Sequence, residues 1–128
     1  MRYAFNFRDI WAQWPSIAEG IGVTLVLTTV TMVAGLTIGT LGAAGRVYGR
    51  SCLRMPLAAY VEVVRNTPLL VQLFIVFFGL PSLGVRFDAM TAAVIALSVN
   101  LGAYTTEIIR AGLEAVPRAQ IEAGYSRT

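Results

Sequence analysis

Residues 20–45 read GIGVTLVLTTVTMVAGLTIGTLGAAG, a run that contains no charged side chain. A helix needs about 20 consecutive apolar residues to cross the hydrocarbon core of a bilayer, and this run is longer. It is also too long for the apolar part of a cleaved signal peptide. Asp9 and Glu19 precede it, where such a peptide would carry a short basic leader. We therefore predict a retained membrane-spanning helix over residues 20–44.

The composition of the whole chain points to the same solvent. Of the 128 residues, 56% are hydrophobic and 13% are charged, whereas soluble domains contain about 25% charged residues. A soluble protein of this size would have to leave large apolar patches in water. The chain is therefore predicted to be an all-α, polytopic membrane protein that lies in a lipid bilayer.

The charged and reactive residues exclude several other functions. All ten basic residues are arginines, and no stacking aromatics are interleaved with them in a polar region, so no nucleic acid partner is predicted. Cys52 is the one cysteine and histidine is missing, so we predict neither a disulfide nor a metal site. Without these residues, and without a carboxylate inside a span, no catalytic residue is predicted.

A second span requires more than its most apolar part. Residues 68–80 would reach only about 20 Å, so the helix must begin earlier, near Leu57, and pass Pro68 with a kink or a break. We place this span at residues 57–80. Glu62 and Arg65 would then lie one turn apart near the membrane surface, where they could pair.

The third predicted span covers residues 89–106, which carry no charge. Together with the first two segments it gives three transmembrane helices. Ser98 and Asn100 lie inside it, and an intramembrane asparagine usually faces protein or a water-filled cavity.

Arginine counts predict the orientation of the spans. The loop after the first span and the C-terminal tail are rich in arginine, whereas the loop after the second span has Arg86 alone. The positive-inside rule therefore places the first loop and the tail in the cytoplasm and the N-terminus outside. Residues 1–17 are predicted to lie on the outer surface, because aromatic side chains suited to the headgroup layer recur there on one helical face: Tyr3, Phe7, Trp11 and Trp14.

Small and polar side chains within the spans have two interpretations. Gly35 and Gly39 form a small-xxx-small pair, and with Thr31 and Gly42 they share one helical face on which another helix could pack closely. Polar groups at mid-depth could contact a translocated solute or could form hydrogen bonds between spans, and the residues in question are Thr31, Gln72 and Asn100.

The third helix is predicted to continue beyond the membrane. Glu107, Arg110 and Glu114 follow a spacing of three and then four residues, which suits ion pairs along one helix. Pro117 would end this helix and open a short one. Such a helix, stiff and attached by a bend, is a natural docking element for a soluble partner.

Two stretches resemble a known family. YVEVVRNTPLLVQLFIVFFGLP, at residues 60–81, and GAYTTEIIRAGLEAVPRAQIEAG, at residues 102–124, are similar to segments of permease subunits of bacterial ABC-type polar amino acid importers. The group suggested transports histidine, arginine, glutamine, glutamate or opines. The signature positions that the chain shares with this family are Arg65, Thr67, Pro68, Gln72, Glu107 and Arg110.

The resemblance implies a fold, partners and a location. Residues 18–128 would be an incomplete ABC transmembrane type-1 domain, in a family that normally has about five spans. Partners would be a second permease subunit, a cytoplasmic ATPase dimer that hydrolyses ATP, and an extracytoplasmic amino acid binding protein, all at the bacterial inner membrane. Residues 117–128 would begin the ATPase-coupling loop, with its Glu-Ala-Ala positions at Glu122, Ala123 and Gly124.

The resemblance also implies that the chain is truncated at its C-terminus. We expect a full-length form to continue past Thr128 with Gly-rich sequence, a Leu-Pro and further spans. The alternative function is that of a small structural or regulatory three-span membrane protein with no role in transport. No cofactor is predicted under either reading.

Overall fold

The structure is a computed structural model that describes residues 8–116, all of whose regular elements are helices. A short helix α1 (Arg8–Ala12) leads into the long helix α2 (Trp14–Tyr48), which is followed by α3 (Ser51–Arg65) and α4 (Leu69–Phe74). A π-helical turn (Ile75–Gly79) and a 3-10 turn (Leu80–Leu83) continue α4, and α5 (Ala89–Glu114) completes the described part. The predicted all-α membrane fold is confirmed.

Helix α2 contains the neutral run and extends it at both ends. Pro15 stands in its first turn, where a missing N–H leaves no backbone bond unmade. Five of its six threonines remain compatible with lipid because their hydroxyls donate to the carbonyl four residues earlier, at 2.7–2.8 Å. At 35 residues, α2 is about 52 Å long and exceeds a hydrocarbon core of about 30 Å.

Helix α5 begins at a strong N-cap. The Asp88 carboxylate accepts hydrogen bonds from the backbone N–H of Met90 (3.0 Å), the N–H of Thr91 (3.1 Å) and the Thr91 hydroxyl (2.5 Å). These donors stabilise the charged form and lower the pKa of the Asp88 carboxyl, the Thr91 hydroxyl most of all. The cap fixes the start of α5 at the predicted residue, 89, and the helix continues to Glu114.

The second span is broken. Helix α3 begins at Ser51, six residues before the predicted Leu57. The chain then bends by 105° between Ser51–Arg65 and Leu69–Leu83. Pro68 disfavours a helical conformation at the preceding residue and has no N–H to donate, so the interruption falls where the proline predicted it. Within residues 8–116, two helices are long and apolar enough to cross a membrane, or three if this bent pair counts as one span.

The core lies between α2 and α5 and is built from small residues. Thr31, Gly35, Gly39 and Gly42, the predicted packing face, are all buried. A Cβ atom at Gly35 would lie 2.7 Å from the Leu101 side chain, and one at Gly39 would overlap Thr105. The two backbones therefore approach more closely than larger side chains would allow, and the contact is one of van der Waals packing.

The N-terminal aromatic residues are described only in part. Trp11 and Trp14 are exposed, with ring centroids 6.2 Å apart. Tyr3 and Phe7 lie outside the described residues, so the predicted aromatic face of residues 1–17 stays a prediction.

Candidate functional site

Two of the three mid-depth polar residues come together at the break in the second span. The side-chain amide of Gln72, on α4, donates from Nε2 to the carbonyl of Val64 at 2.9 Å and to that of Thr67 at 2.8 Å. Its Oε1 accepts a hydrogen bond from Asn100 Nδ2, on α5, at 3.4 Å. One side chain thus joins α3, α4 and α5.

The other residues at the break support the same local geometry. The Thr67 hydroxyl donates to the Val63 carbonyl at 2.8 Å, and Pro68 is the N-cap residue of α4. Backbone carbonyls at a helix interruption lose their regular donors, and in lipid no water replaces them. The Gln72 amide supplies that replacement, which accounts for its hydrogen bonds without a solute.

Thr31 belongs to the helix packing instead. Its hydroxyl donates to the Leu27 carbonyl at 2.7 Å within α2, and the residue is buried on the face of small residues. Its hydrogen bonds run to α2 carbonyls, those of Leu27 and Thr28, rather than to Gln72 or Asn100.

A second polar cluster joins the far ends of α2 and α5. Arg46 Nη1, on α2, lies 2.5 Å from Glu107 Oε2. Glu107 also pairs with Arg110, which reaches Glu114 at 2.5 Å. The side chains of Arg46, Glu107 and Arg110 are 18–24% exposed, whereas that of Glu114 is 57% exposed. The partly buried members are well placed to hold the two helices together.

Arg65 contacts a different partner from the predicted one. Its guanidinium carbon lies 5.4 Å from the centroid of the Tyr104 ring, a cation–π distance. Among residues 8–116 the ion pairs are those of Arg46, Glu107, Arg110 and Glu114, so the prediction that Glu62 pairs with Arg65 is wrong. Helix α3 packs against α5 there, and the aromatic face of Tyr104 replaces the carboxylate.

A polar cleft of about 330 Å³ opens beside this contact. Its charged lining consists of Arg46, Glu62, Arg65 and Glu107, with Asn66 and Tyr104 between them. Arg46 is shared with a second cleft, and its buried Nε has no hydrogen-bond partner in the described structure. The clefts collect most of the charged side chains at this end of the helices.

Sequence reasoning missed three residues of this region. Arg46 served only as an orientation signal, yet it links α2 to α5. The Tyr60 hydroxyl donates to the Val99 carbonyl at 2.6 Å and joins α3 to α5, and Tyr104 supports Arg65. Partners 39 and 61 positions apart follow no helical spacing, although both tyrosines stand inside the stretches that carry the family resemblance.

The predicted coupling residues Glu122, Ala123 and Gly124 lie outside the described residues. Helix α5 ends at Glu114, three residues before Pro117 in the sequence. Within residues 8–116, no group of three His, Cys, Asp or Glu side chains is arranged to hold a metal ion.

Comparison with known proteins identifies the family. Residues 35–127 match the family described as binding-protein-dependent transport system inner membrane component. The L-cystine transport system permease protein TcyB of Bacillus subtilis (strain 168) is 43% identical over 113 residues, which cover 88% of this chain and 48% of that protein. The glutamine transport system permease protein GlnP of Escherichia coli (strain K12) is 34% identical over 124 residues, covering 95% and 57%.

A solved structure shares the fold. The crystal structure of an amino acid ABC transporter with histidines superimposes with a TM-score of 0.89 at 36% identity, covering 97% of this chain and 58% of that one. The chain spans about half the length of the curated relatives it matches. It belongs to the family of binding-protein-dependent transport system inner membrane components.

Proposed function

We propose that this chain is the membrane-spanning part of a permease subunit in an ATP-driven amino acid importer. The observation that carries the proposal is the superposition, over 97% of the chain, on an amino acid ABC transporter. The relatives named for cystine and glutamine transport point to the same class of solute. The chain itself would form part of the translocation pathway and would have no catalytic step.

The partners follow from this role. A second permease subunit would complete the pathway, a binding protein would deliver the amino acid from outside, and a cytoplasmic ATPase dimer would supply the energy. Residues 117–128, with Glu122, Ala123 and Gly124, would dock on the ATPase. Helix α5 supports this arrangement because it leads without interruption from Asn100, at the break, to the paired Glu107 and Arg110 and then to the tail.

The docking role can be tested by co-purification. The tagged full-length form that we expect to continue past Thr128, co-expressed with ABC ATPases from its own genome, is expected to retain one of them in mild detergent. The variant Glu122→Lys is expected to reduce the retained ATPase at least about tenfold, the effect of losing about 1.4 kcal/mol of binding free energy. The control Arg86→Ala changes a charge in the loop before α5 and should leave retention unchanged. Retention by Glu122→Lys at the parental level contradicts the docking role, and no retained ATPase for any variant favours the structural alternative.

We further propose that the N-terminus lies outside and the tail lies in the cytoplasm of an inner-membrane protein. Four arginines lie between the last turn of α2 and the end of α3, at positions 46, 50, 54 and 65, whereas the loop before α5 has Arg86 alone. The positive-inside rule places the more arginine-rich side in the cytoplasm. Cys52 is exposed and free, so a membrane-impermeant maleimide should label it in inverted vesicles and not in spheroplasts. In a Cys52→Ser background, Ser82→Cys should give the opposite result. Labelling of Cys52 from the outside would reverse the orientation.

A further inference from the structure

The break between α3 and α4 leaves two backbone carbonyls without their regular helical donors, and one side chain donates to both. In a continuous helix the N–H of residue 68 would donate to the carbonyl of Val64, but Pro68 has no N–H. The N–H of Val71, which would donate to the Thr67 carbonyl in a continuous helix, donates to the Pro68 carbonyl at 3.0 Å instead, so the Thr67 carbonyl loses its helical donor. The Val64 carbonyl still accepts a long hydrogen bond from the Thr67 N–H, at 3.3 Å, and Gln72 Nε2 donates to the carbonyls of both Val64 and Thr67.

We propose that Gln72 is a positioning residue that sets the angle between the two halves of the broken span, and that Asn100 links this angle to the position of α5. The amide of Gln72 uses both of its N–H groups on α3 and the loop, and its oxygen on Asn100. It therefore has no free donor for a solute. Gln72 acts on the pathway through the backbone it holds.

The two sides of this arrangement differ in strength. The bonds to the carbonyls are 2.8 and 2.9 Å long, within the normal range, whereas the bond from Asn100 is 3.4 Å long. The contact to α5 is therefore the weaker one and should be the first to change when α5 shifts. Asn100 and Glu107 are two turns apart on α5, about 10 Å, and Glu107 connects α5 to Arg46 of α2. A displacement of the charged end of α5 would reach the break through this helix.

The biological use of such a link rests on the proposed function, since it requires an ATPase that moves the tail. The angle between the two halves of the broken span does not depend on that function, and it can be measured in the chain alone. Spin labels at Met55→Cys, on α3, and Phe78→Cys, beyond the break, occupy exposed positions in a Cys52→Ser background. The distance distribution between them in lipid nanodiscs reports the angle of the break.

We expect Gln72→Met, which keeps the size and removes the amide, to broaden or shift this distribution. Asn100→Leu should produce a smaller shift, and in the Gln72→Met background it should add nothing, because Asn100 acts through Gln72. The matched control is Ser98→Ala on the same helix, since the buried Ser98 hydroxyl has no hydrogen-bond partner in the described structure. This control should reproduce the parental distribution.

An unchanged distribution in Gln72→Met would overturn the proposal, because Pro68 and packing alone would then fix the angle. If Gln72→Met does not fold, Asn100→Leu decides, since it leaves the bonds to the carbonyls in place; a parental distribution there removes the link to α5. The distance result is independent of ATPase retention, so failure of the proposed function and failure of this inference are distinguishable.

Discussion

Gly39→Ala is expected to lower the stability of the chain more than any other single-methyl change in α2. The added Cβ would overlap the Thr105 side chain and would lie 3.2 Å from the Gly102 carbonyl oxygen. Both are held in the contact between α2 and α5, and the neighbouring Thr106 is fully buried, so neither side can yield without separating the helices. Overpacking of this kind costs about 1–3 kcal/mol. The measurement is the midpoint of thermal loss of the monodisperse gel-filtration peak in detergent.

The matched control is Gly22→Ala, on the same helix, where an added Cβ meets nothing within 4 Å. This variant gains helix propensity, worth about 0.5–1 kcal/mol, and its midpoint should be equal to or above that of the parent. Equal midpoints for both variants would mean that α2 and α5 do not approach this closely in the detergent-solubilised protein.

The second large effect is expected for Glu107→Gln. The substitution keeps the shape and removes the charge that Arg46 and Arg110 share, leaving two guanidinium groups close together and only partly exposed. Hydrogen bonds to charged groups contribute about 1.5–3 kcal/mol, and we expect a loss of this order in the same detergent assay. High salt should weaken the outer pair of Arg110 with Glu114, which is more open to solvent, more than it weakens the partly buried pair of Arg46 with Glu107.

Two comparisons separate a charge effect from a general defect. Glu114→Gln removes a carboxylate that is 57% exposed, so it should cost no more than about 0.5 kcal/mol. The double variant Arg46→Gln/Glu107→Gln removes both partners and should be more stable than the sum of the single variants predicts. Strict additivity would show that Arg46 and Glu107 are neighbours without an energetic connection.

Local features of the sequence predicted the elements, whereas the specific partner that a side chain finds on another element did not follow from them. An uncharged run of this length is expected to form a membrane-spanning helix in lipid, so the first helix could be predicted from it. Pro68 predicted the position of the break, because it has no N–H to donate. The spacing of Glu107, Arg110 and Glu114 likewise anticipated ion pairs along one helix. Each of these signals depends only on residues close together in the chain.

The prediction that failed and the contacts that were missed all depend on side chains from different helices. The pairing of Glu62 with Arg65 followed from helical spacing, but Tyr104, from another helix, offered Arg65 a different partner. The meeting of Gln72 with Asn100 depends on how α4 packs against α5, and that of Arg46 with Glu107 on how α2 packs against α5; no local spacing encodes either. The family resemblance could suggest that these residues matter, and only the packed helices give each its partner.

The uncharged part of α2 is longer than the hydrocarbon core of a bilayer is thick. Twenty-six residues from Gly20 to Gly45 make about 39 Å of neutral helix, against a core of about 30 Å. Such hydrophobic mismatch is relieved when a helix tilts or when the bilayer thickens locally. Because α5 is packed on the second half of α2, tilting one helix carries the other with it. The length of the acyl chains around this protein should therefore influence the inclination of the whole pair.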